Sequence, residues 1–245
     1  MAQSSLVDVL VESVLDRILR GVFAPGALLP PEWSLAEEAG VSRLTAREAI
    51  KSLQAQKIVR VLRGRGTLVN PPAEWSSLDA ILRAAAQGLG MDEMPQRVLE
   101  IRRIVETGAA ELAAANHRPQ DLLRLDETIA EMKSAHAAGD LDRLTENDLA
   151  FHNIVLEASG NPFVSALMGQ LGQLLYTLRR ETSAFTVVQE HAIVHHVAVR
   201  TAIATGDPAQ AGWAMAEHIQ QTIDDYDHFI RSPGAWTRHQ TSDMA

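Results

Sequence analysis

From Pro30 to Leu53, two short stretches of helical periodicity are separated by a single glycine, Gly40. Leu35, Ala36 and Ala39 share one face of a short first helix. Gly40 ends that helix, and Val41 is the apolar residue that a tight turn buries. Ser42 is placed to cap a second helix. On this helix Ala46, Ala49, Ile50 and Leu53 pack inward, while Thr45, Arg47 and Lys51 face outward. A short helix, a glycine turn and a basic second helix have the shape that enters a DNA major groove. Two ordinary helices with a solvated basic face share this composition, so the neighbouring residues decide.

Those residues, Lys57 to Val69, read as two short strands around a turn made of Gly64, Arg65 and Gly66. Directly behind a helix-turn-helix, such a hairpin is a wing. Its glycines let the backbone approach phosphates closely, and Arg63 and Arg65 reach a phosphate or the minor groove. DNA contacts are therefore expected from Arg43, Thr45, Arg47 and Lys51 on the helix, and from Arg63, Arg65 and Gly66 on the wing.

The charge distribution agrees. The chain carries a formal net charge of −9, which by itself disfavours a polyanionic partner. Residues 40–70, however, hold 7 Lys and Arg against 1 acidic residue, whereas residues 71–245 hold 13 against 24. Net positive charge is concentrated on the second helix and wing, and the acidic remainder is a separate unit. With 245 residues there is room for two modest domains. Cysteine is absent, which excludes disulfides and a thiol nucleophile. No apolar run approaches a membrane span, and the N-terminus lacks a basic segment followed by an apolar one. A cytoplasmic protein without a membrane partner is expected.

The first boundary falls at Asn70-Pro71-Pro72, since two prolines continue neither a strand nor a helix interior. Beyond it the pattern is helical, with helices expected near 76–88, 95–116, 119–137, 140–158, 162–182, 187–205 and 208–230. Pro119, Pro162 and Pro208 sit at helix starts, where a missing N–H costs nothing. The expected fold is mainly α. A winged helix-turn-helix with a small β wing over 1–72 is followed by a linker helix over 73–90. An all-α antiparallel bundle then spans 91–232, ahead of a flexible tail over 233–245.

The bundle carries a candidate metal site. Asp148 and His152 are four residues apart, which puts both on one helical face, beside the apolar Leu149, Phe151, Val155 and Leu156. Titratable groups there are costly to bury unless paired or metal-bound. His196 and His218 lie on the last two long helices, either side of Gly206-Asp207-Pro208, and an antiparallel helix pair brings them together. One carboxylate and three imidazoles suit zinc, nickel or manganese and leave open coordination positions. An Asp–His pair on a helix surface is the competing reading.

Residues 4–70 resemble the winged helix-turn-helix of the GntR family of bacterial transcription regulators. The resemblance rests on Gly21, Pro25-Gly26, Leu28-Leu29-Pro30, Glu32, Leu35-Ala36, Gly40-Val41-Ser42-Arg43, Arg47-Glu48-Ala49-Ile50, Leu53 and Arg63 to Val69. One departure stands out. The family usually has a DNA-touching arginine after that glutamate; here the position is Trp33, and an indole cannot make the charged contact. Residues 91–230 resemble the effector domain of the FadR subfamily, the FCD domain, through Glu100-Ile101-Arg102, Glu106, Asp148, Phe151-His152, Ser159-Gly160-Asn161, His196, Ala202-Ile203, Gly206-Asp207 and His218.

The resemblance implies that Asp148, His152, His196 and His218 are the metal ligands, and that Arg102 faces the effector's carboxylate. Counting back from Ala202-Ile203 selects His196 over its neighbour His195, and His191, His117, His136, His228 and His239 are expected to be exposed. Asn161 and Tyr176 are further effector candidates, although Asn161 also suits turn chemistry. Arg179-Arg180 could line the cavity or a dimer surface, with a solvated face or a surface ion pair the favoured reading. The resemblance also implies a homodimer on an inverted-repeat DNA operator, acting as a ligand-responsive repressor released by a small carboxylic acid. Glu74 to Leu82 resembles a stretch in members that sense sugar acids such as galactonate; lactate and other hydroxy or keto acids stay open. Two other classes compete. A metal-dependent hydrolase or lyase would need a nucleophile or acid/base pair that no motif supplies. An architectural DNA-binding protein would not need the second, acidic domain.

Overall fold

A computed structural model describes residues 5–90 and 93–231, which divide into two compact units at Gly90. In the first unit, α1 (Leu6–Leu19) starts at a capping box: Ser5 Oγ accepts the Asp8 N–H, and the Asp8 carboxylate accepts the Ser5 N–H. Its apolar stripe Leu10, Val11, Val14, Leu15 and Ile18 is buried. The next two helices, α2 (Glu32–Ala39) and α3 (Arg43–Ala55), are joined by a tight turn. Gly40 adopts a left-handed conformation (φ 66°) there, which ends α2 at a cost no side-chain-bearing residue would escape. Ser42 Oγ then caps α3 by accepting the Thr45 N–H at 3.0 Å.

The wing is an antiparallel pair, β1 (Val59–Leu62) and β2 (Gly66–Val69), with Val59 opposite Val69 and Leu62 opposite Gly66. One end of the ladder is anchored, because Ile58, Val59 and Val69 are buried in the core with Leu53 and Leu35. The other end, with Arg63 and Arg65, is exposed.

The segment expected as a linker belongs to this unit. A 3-10 turn (Pro72–Glu74) leads to α4 (Leu78–Gln87), and Trp75 and Ala80 are core residues with Ile81 and Ala84 packed beside them. The Trp75 indole donates to the Asn70 carbonyl at 3.0 Å. The stretch Glu74 to Leu82 thus carries packing residues of the first unit.

The second unit is all helical: α5 (Glu93–Asn116), α6 (Pro119–Ala138), α7 (Leu141–Ala158), α8 (Pro162–Gly169), α9 (Gly172–Thr182), α10 (Thr186–Ala204) and α11 (Pro208–Tyr226). α5 packs on α11 and α7, α6 on α7 and α10, and α10 on α11. The core between them includes Leu125, Phe151, Val199, Ile203, Met215 and Ile219. Burying each such side chain contributes about 1.5–3 kcal/mol.

Two helix ends differ from expectation. The helix expected over 162–182 is two helices that break at Gln170-Leu171; Gly169 and Gly172 flank the break, and each weakens a helix interior by about 1 kcal/mol. The last helix ends at Tyr226 and continues as one π turn (Asp227–Arg231). His239 and the expected tail lie outside the described residues.

Candidate metal centre and nucleic-acid interface

The centre in the second unit is assembled from five helices. α7 supplies Asp148 and His152 one turn apart, α10 supplies His196, and α11 supplies His218. α5 adds Arg102 and Glu106, and α9 adds Arg179. All seven side chains are buried. The three imidazole Nε2 atoms face one another, with every pair 3.2 Å apart. Asp148 Oδ1 lies 3.4 Å from His196 Nε2.

This donor set fits a divalent ion. At an ion–nitrogen distance of about 2.1 Å, neighbouring ligand nitrogens are about 3.4 Å apart around a tetrahedral ion and about 3.0 Å apart on an octahedral face. The observed edges of 3.2 Å fall between. Protons agree as well. Three nitrogens in mutual contact cannot all be satisfied by one another, whereas a cation accepts all three lone pairs once the protons sit on Nδ1.

The surroundings approach two of those Nδ1 atoms, while that of His218 is buried without a hydrogen-bond partner. His152 Nδ1 is 2.6 Å from Glu106 Oε2, and His196 Nδ1 is 3.2 Å from Met132 Sδ. Phe151 stacks on the His196 ring at 4.0 Å, which sets the plane of that ring. Burial pushes His196 down to about 4 against the pull of Asp148, and burial likewise holds His152 and His218 well below the usual imidazole range. All three are therefore neutral at pH 7, the form that ligates metals.

The charges around the imidazoles are paired. Glu106 accepts from Arg102 Nε at 2.8 Å, and Asp148 accepts from Arg179 Nη1. Burial alone would raise the Asp148 carboxyl; the Arg179 guanidinium holds it below the usual range. Arg102 and Arg179 do the same for Glu106. Arg179 Nε and Nη2 are buried without a hydrogen-bond partner. A cavity of about 20 Å³ adjoins the centre, lined by Arg102, Asp148, Arg179, His218, Gln221 and Asp225 among others.

The fold thus brings Asp148, His152, His196, His218 and Arg102 together. It does not add Asn161 or Tyr176. Asn161 is exposed and caps α8 by accepting the Phe163 N–H, and Tyr176 is half-buried and outside the cavity lining. Of the arginine pair read as solvated, Arg180 is exposed and paired with Asp142, but Arg179 points inward. Sequence reasoning did not single out Glu106 or Asp225 as site residues, and for Arg179 it favoured a solvated face over the cavity place that the fold gives it. The signal for Arg179 was its place on the buried stripe Leu171, Leu175, Leu178 and Thr182. His191, expected to be exposed, is half-exposed and pairs with Asp225 at 3.1 Å.

In the first unit, Arg43, Arg47 and Lys51 are exposed on α3, and Arg63, Arg65 and Gly66 are exposed on the wing. Arg43, Arg47, Arg65 and Gly66 line one groove with Glu32 and Trp33. Thr45, expected to face outward, is half-buried, and its hydroxyl is 2.8 Å from Ser42 Oγ because it sits within the cap. Arg47 Nε donates to Glu32 Oε2 at 3.2 Å, and Lys51 Nζ to Glu48 Oε1 at 2.9 Å. Trp33 is 53% exposed and Leu44 66%.

A basic winged helix-turn-helix in one unit and a buried donor cluster in a second, all-α unit define a transcription regulator with a separate ligand-type site. Residues 6–69 match the family described as bacterial regulatory proteins, gntR family, and residues 97–221 match the FCD domain. The chain belongs to the GntR family of bacterial transcription regulators and carries an FCD domain. It is 33% identical to the HTH-type transcriptional regulator LutR of Bacillus subtilis, over 84% of this chain and 94% of that one. It is 30% identical to the galactonate operon transcriptional repressor of Escherichia coli, over 65% of this chain and 69% of that one. The solved structure of Lar, which controls expression of the agr system of Listeria monocytogenes, covers 92% of this chain and 99% of its own with a TM-score of 0.59 at 20% identity, which supports the fold. Among the described residues no helix is long and apolar enough to cross a membrane.

Proposed function

We propose that the protein is a repressor that binds an inverted-repeat operator as a homodimer and leaves it when a small carboxylic acid binds beside a divalent ion. The observation that carries this reading is the charge count at the buried centre. Two guanidiniums, Arg102 and Arg179, face two carboxylates, Glu106 and Asp148, so the cluster is neutral. A divalent ion held by Asp148, His152, His196 and His218 would make it positive, and Asp225 in the cavity wall offsets one charge only. An acid completes the balance. Zinc, nickel and manganese all suit this donor set. When bound, the ion supplies open positions for a carboxylate and a neighbouring hydroxyl or keto oxygen. Arg102 offers a charge-assisted contact to the same acid.

The cavity of about 20 Å³ has room for roughly one water, so an acid must push its walls apart. Those walls come from α5, α7, α9, α10 and α11, which gives binding a structural consequence. The similarity to the galactonate repressor makes a hydroxylated acid the first class to try. The centre is read as sensory rather than catalytic, and DNA contacts are assigned to Arg43, Arg47, Lys51, Arg63, Arg65 and Gly66, with Thr45 supporting the cap.

Metal analysis of protein purified without a histidine tag, followed by thermal unfolding with D-galactonate and L-lactate, tests the effector reading. Wild type should bind one ion and gain stability with one of the acids. His196→Ala should lower metal content and acid response together, and Arg102→Lys should keep the metal but weaken the response. A wild type without metal, even after incubation with zinc, nickel or manganese, removes the coordination mechanism. Turnover of either acid would replace the sensory reading. Sedimentation at about twice the 26.7 kDa chain mass is expected for the dimer.

A further inference from the structure

Leu44 is an exposed leucine in the middle of the surface assigned to DNA. It is the second residue of α3, directly after Arg43, and 66% exposed. The buried residues of this helix are Ala46, Ala49, Ile50 and Leu53. At about 100° per residue, Leu44 points about 180° away from their mean direction. It therefore projects from the centre of the outward face, with Arg47 and Lys51 to one side and Glu48 to the other. A structural role would require apolar neighbours, but Leu44 belongs to neither buried core nor to the residues packed against it. The N-terminal residues of a recognition helix are those that reach base edges. A branched apolar side chain has no hydrogen bond to offer there. The apolar group presented by the bases in the major groove is the C5-methyl of thymine.

We infer that Leu44 reads a thymine methyl in the operator half-site, beside the contacts made by Arg43 and Arg47. The inference rests on the proposed docking of α3 in the major groove. It adds a second chemistry to the arginines: they supply charge and hydrogen bonds, and Leu44 favours a methyl-bearing base edge over one that presents an amino group or lacks the methyl.

The test uses the full chain and duplexes selected by it from random DNA. Each selected thymine is replaced singly by deoxyuridine, which removes only the methyl. One such replacement per half-site should weaken wild-type binding about fourfold, the effect of one lost methyl's apolar contact. Leu44→Ala, an exposed change that suits a helix, should bind the thymine duplex more weakly and be indifferent to the deoxyuridine. Equal binding of all deoxyuridine duplexes by wild type overturns the inference, as does an equal loss in wild type and Leu44→Ala. Selection of half-sites without thymine overturns it too. Failure to select any sequence over random DNA is a different result, because it removes the major-groove docking itself.

Discussion

The two units use the same ion pairs for opposite ends. In the DNA-binding unit, Arg47 and Glu32 meet at 3.2 Å with 59% and 36% of their side chains exposed. In the effector unit, Arg102 and Glu106 meet at 2.8 Å with 1% and 2% exposed. The chemistry is identical, and solvent makes the difference. Water screens the first pair, so it adds little stability, and its arginine can exchange a carboxylate for a phosphate or base. The second pair has no water to fall back on, so losing one member strands a charge in a low-dielectric interior. A surface that must let go of one partner and take another is built from the first kind of pair. A site that must hold several donors in one geometry is built from the second.

The largest expected effect breaks the buried half of this contrast. Glu106→Ala leaves Arg102 and Arg179 without their shared carboxylate, and should cost about 3–5 kcal/mol in denaturant unfolding. A loss below 1 kcal/mol would mean that water reaches the centre. Next comes the exposed half. Arg47→Ala should weaken operator binding by ~1–3 kcal/mol if it reads a guanine, and less if it holds a phosphate, with circular dichroism unchanged. Normal operator binding by a folded Arg43→Ala/Arg47→Ala double variant would remove α3 from the interface.

Asp121 lies between the two extremes. Its side chain is 2% exposed, but its partner Arg118 is 65% exposed. The Arg118 side chain, through its hydrogen bonds, and its backbone N–H hold the Asp121 carboxyl below the usual range. The folded state therefore binds its proton less readily than the unfolded chain. The stabilisation is present above the ordinary carboxylate pKa of about 3.9 and is lost as pH falls through the folded value. Asp121→Ala should cost about 1 kcal/mol at pH 7, as expected for a helix cap, and flatten the acid limb of the stability profile. An unchanged acid limb would place the pair with the fully exposed ones. The smallest effect belongs to Glu32→Gln. Stability should change by less than about 0.5 kcal/mol, while operator affinity rises because an anion facing the phosphates is gone. Weaker operator binding would show instead that Glu32 orients Arg47 for its contact.

Much of the first unit was legible because its signals are local. Gly40 and Ser42 end and start helices through their own backbone and hydroxyl, and the wing follows from Gly64 and Gly66 a few residues apart. Thr45 was misplaced for an equally local reason, since its hydroxyl joins the cap made by Ser42. In the second unit, Asp148 and His152 declared themselves by a one-turn spacing. The inward turn of Arg179 did not, because next to Arg180 it has the composition of a solvated face.

The order of amino acids determined by itself where helices start and stop, where positive charge is concentrated, and which residue types were available to hold a metal. Periodicity, capping and charge act over a few residues, so they survive without knowledge of the fold. Only the tertiary structure decided that Glu106, Arg179 and Asp225 stand beside the three imidazoles, and that Leu44 stands apart from every core. Those facts depend on how five helices pack around one point and on which face each leaves to water. That packing is a property of the whole buried surface, and no short window of sequence contains it.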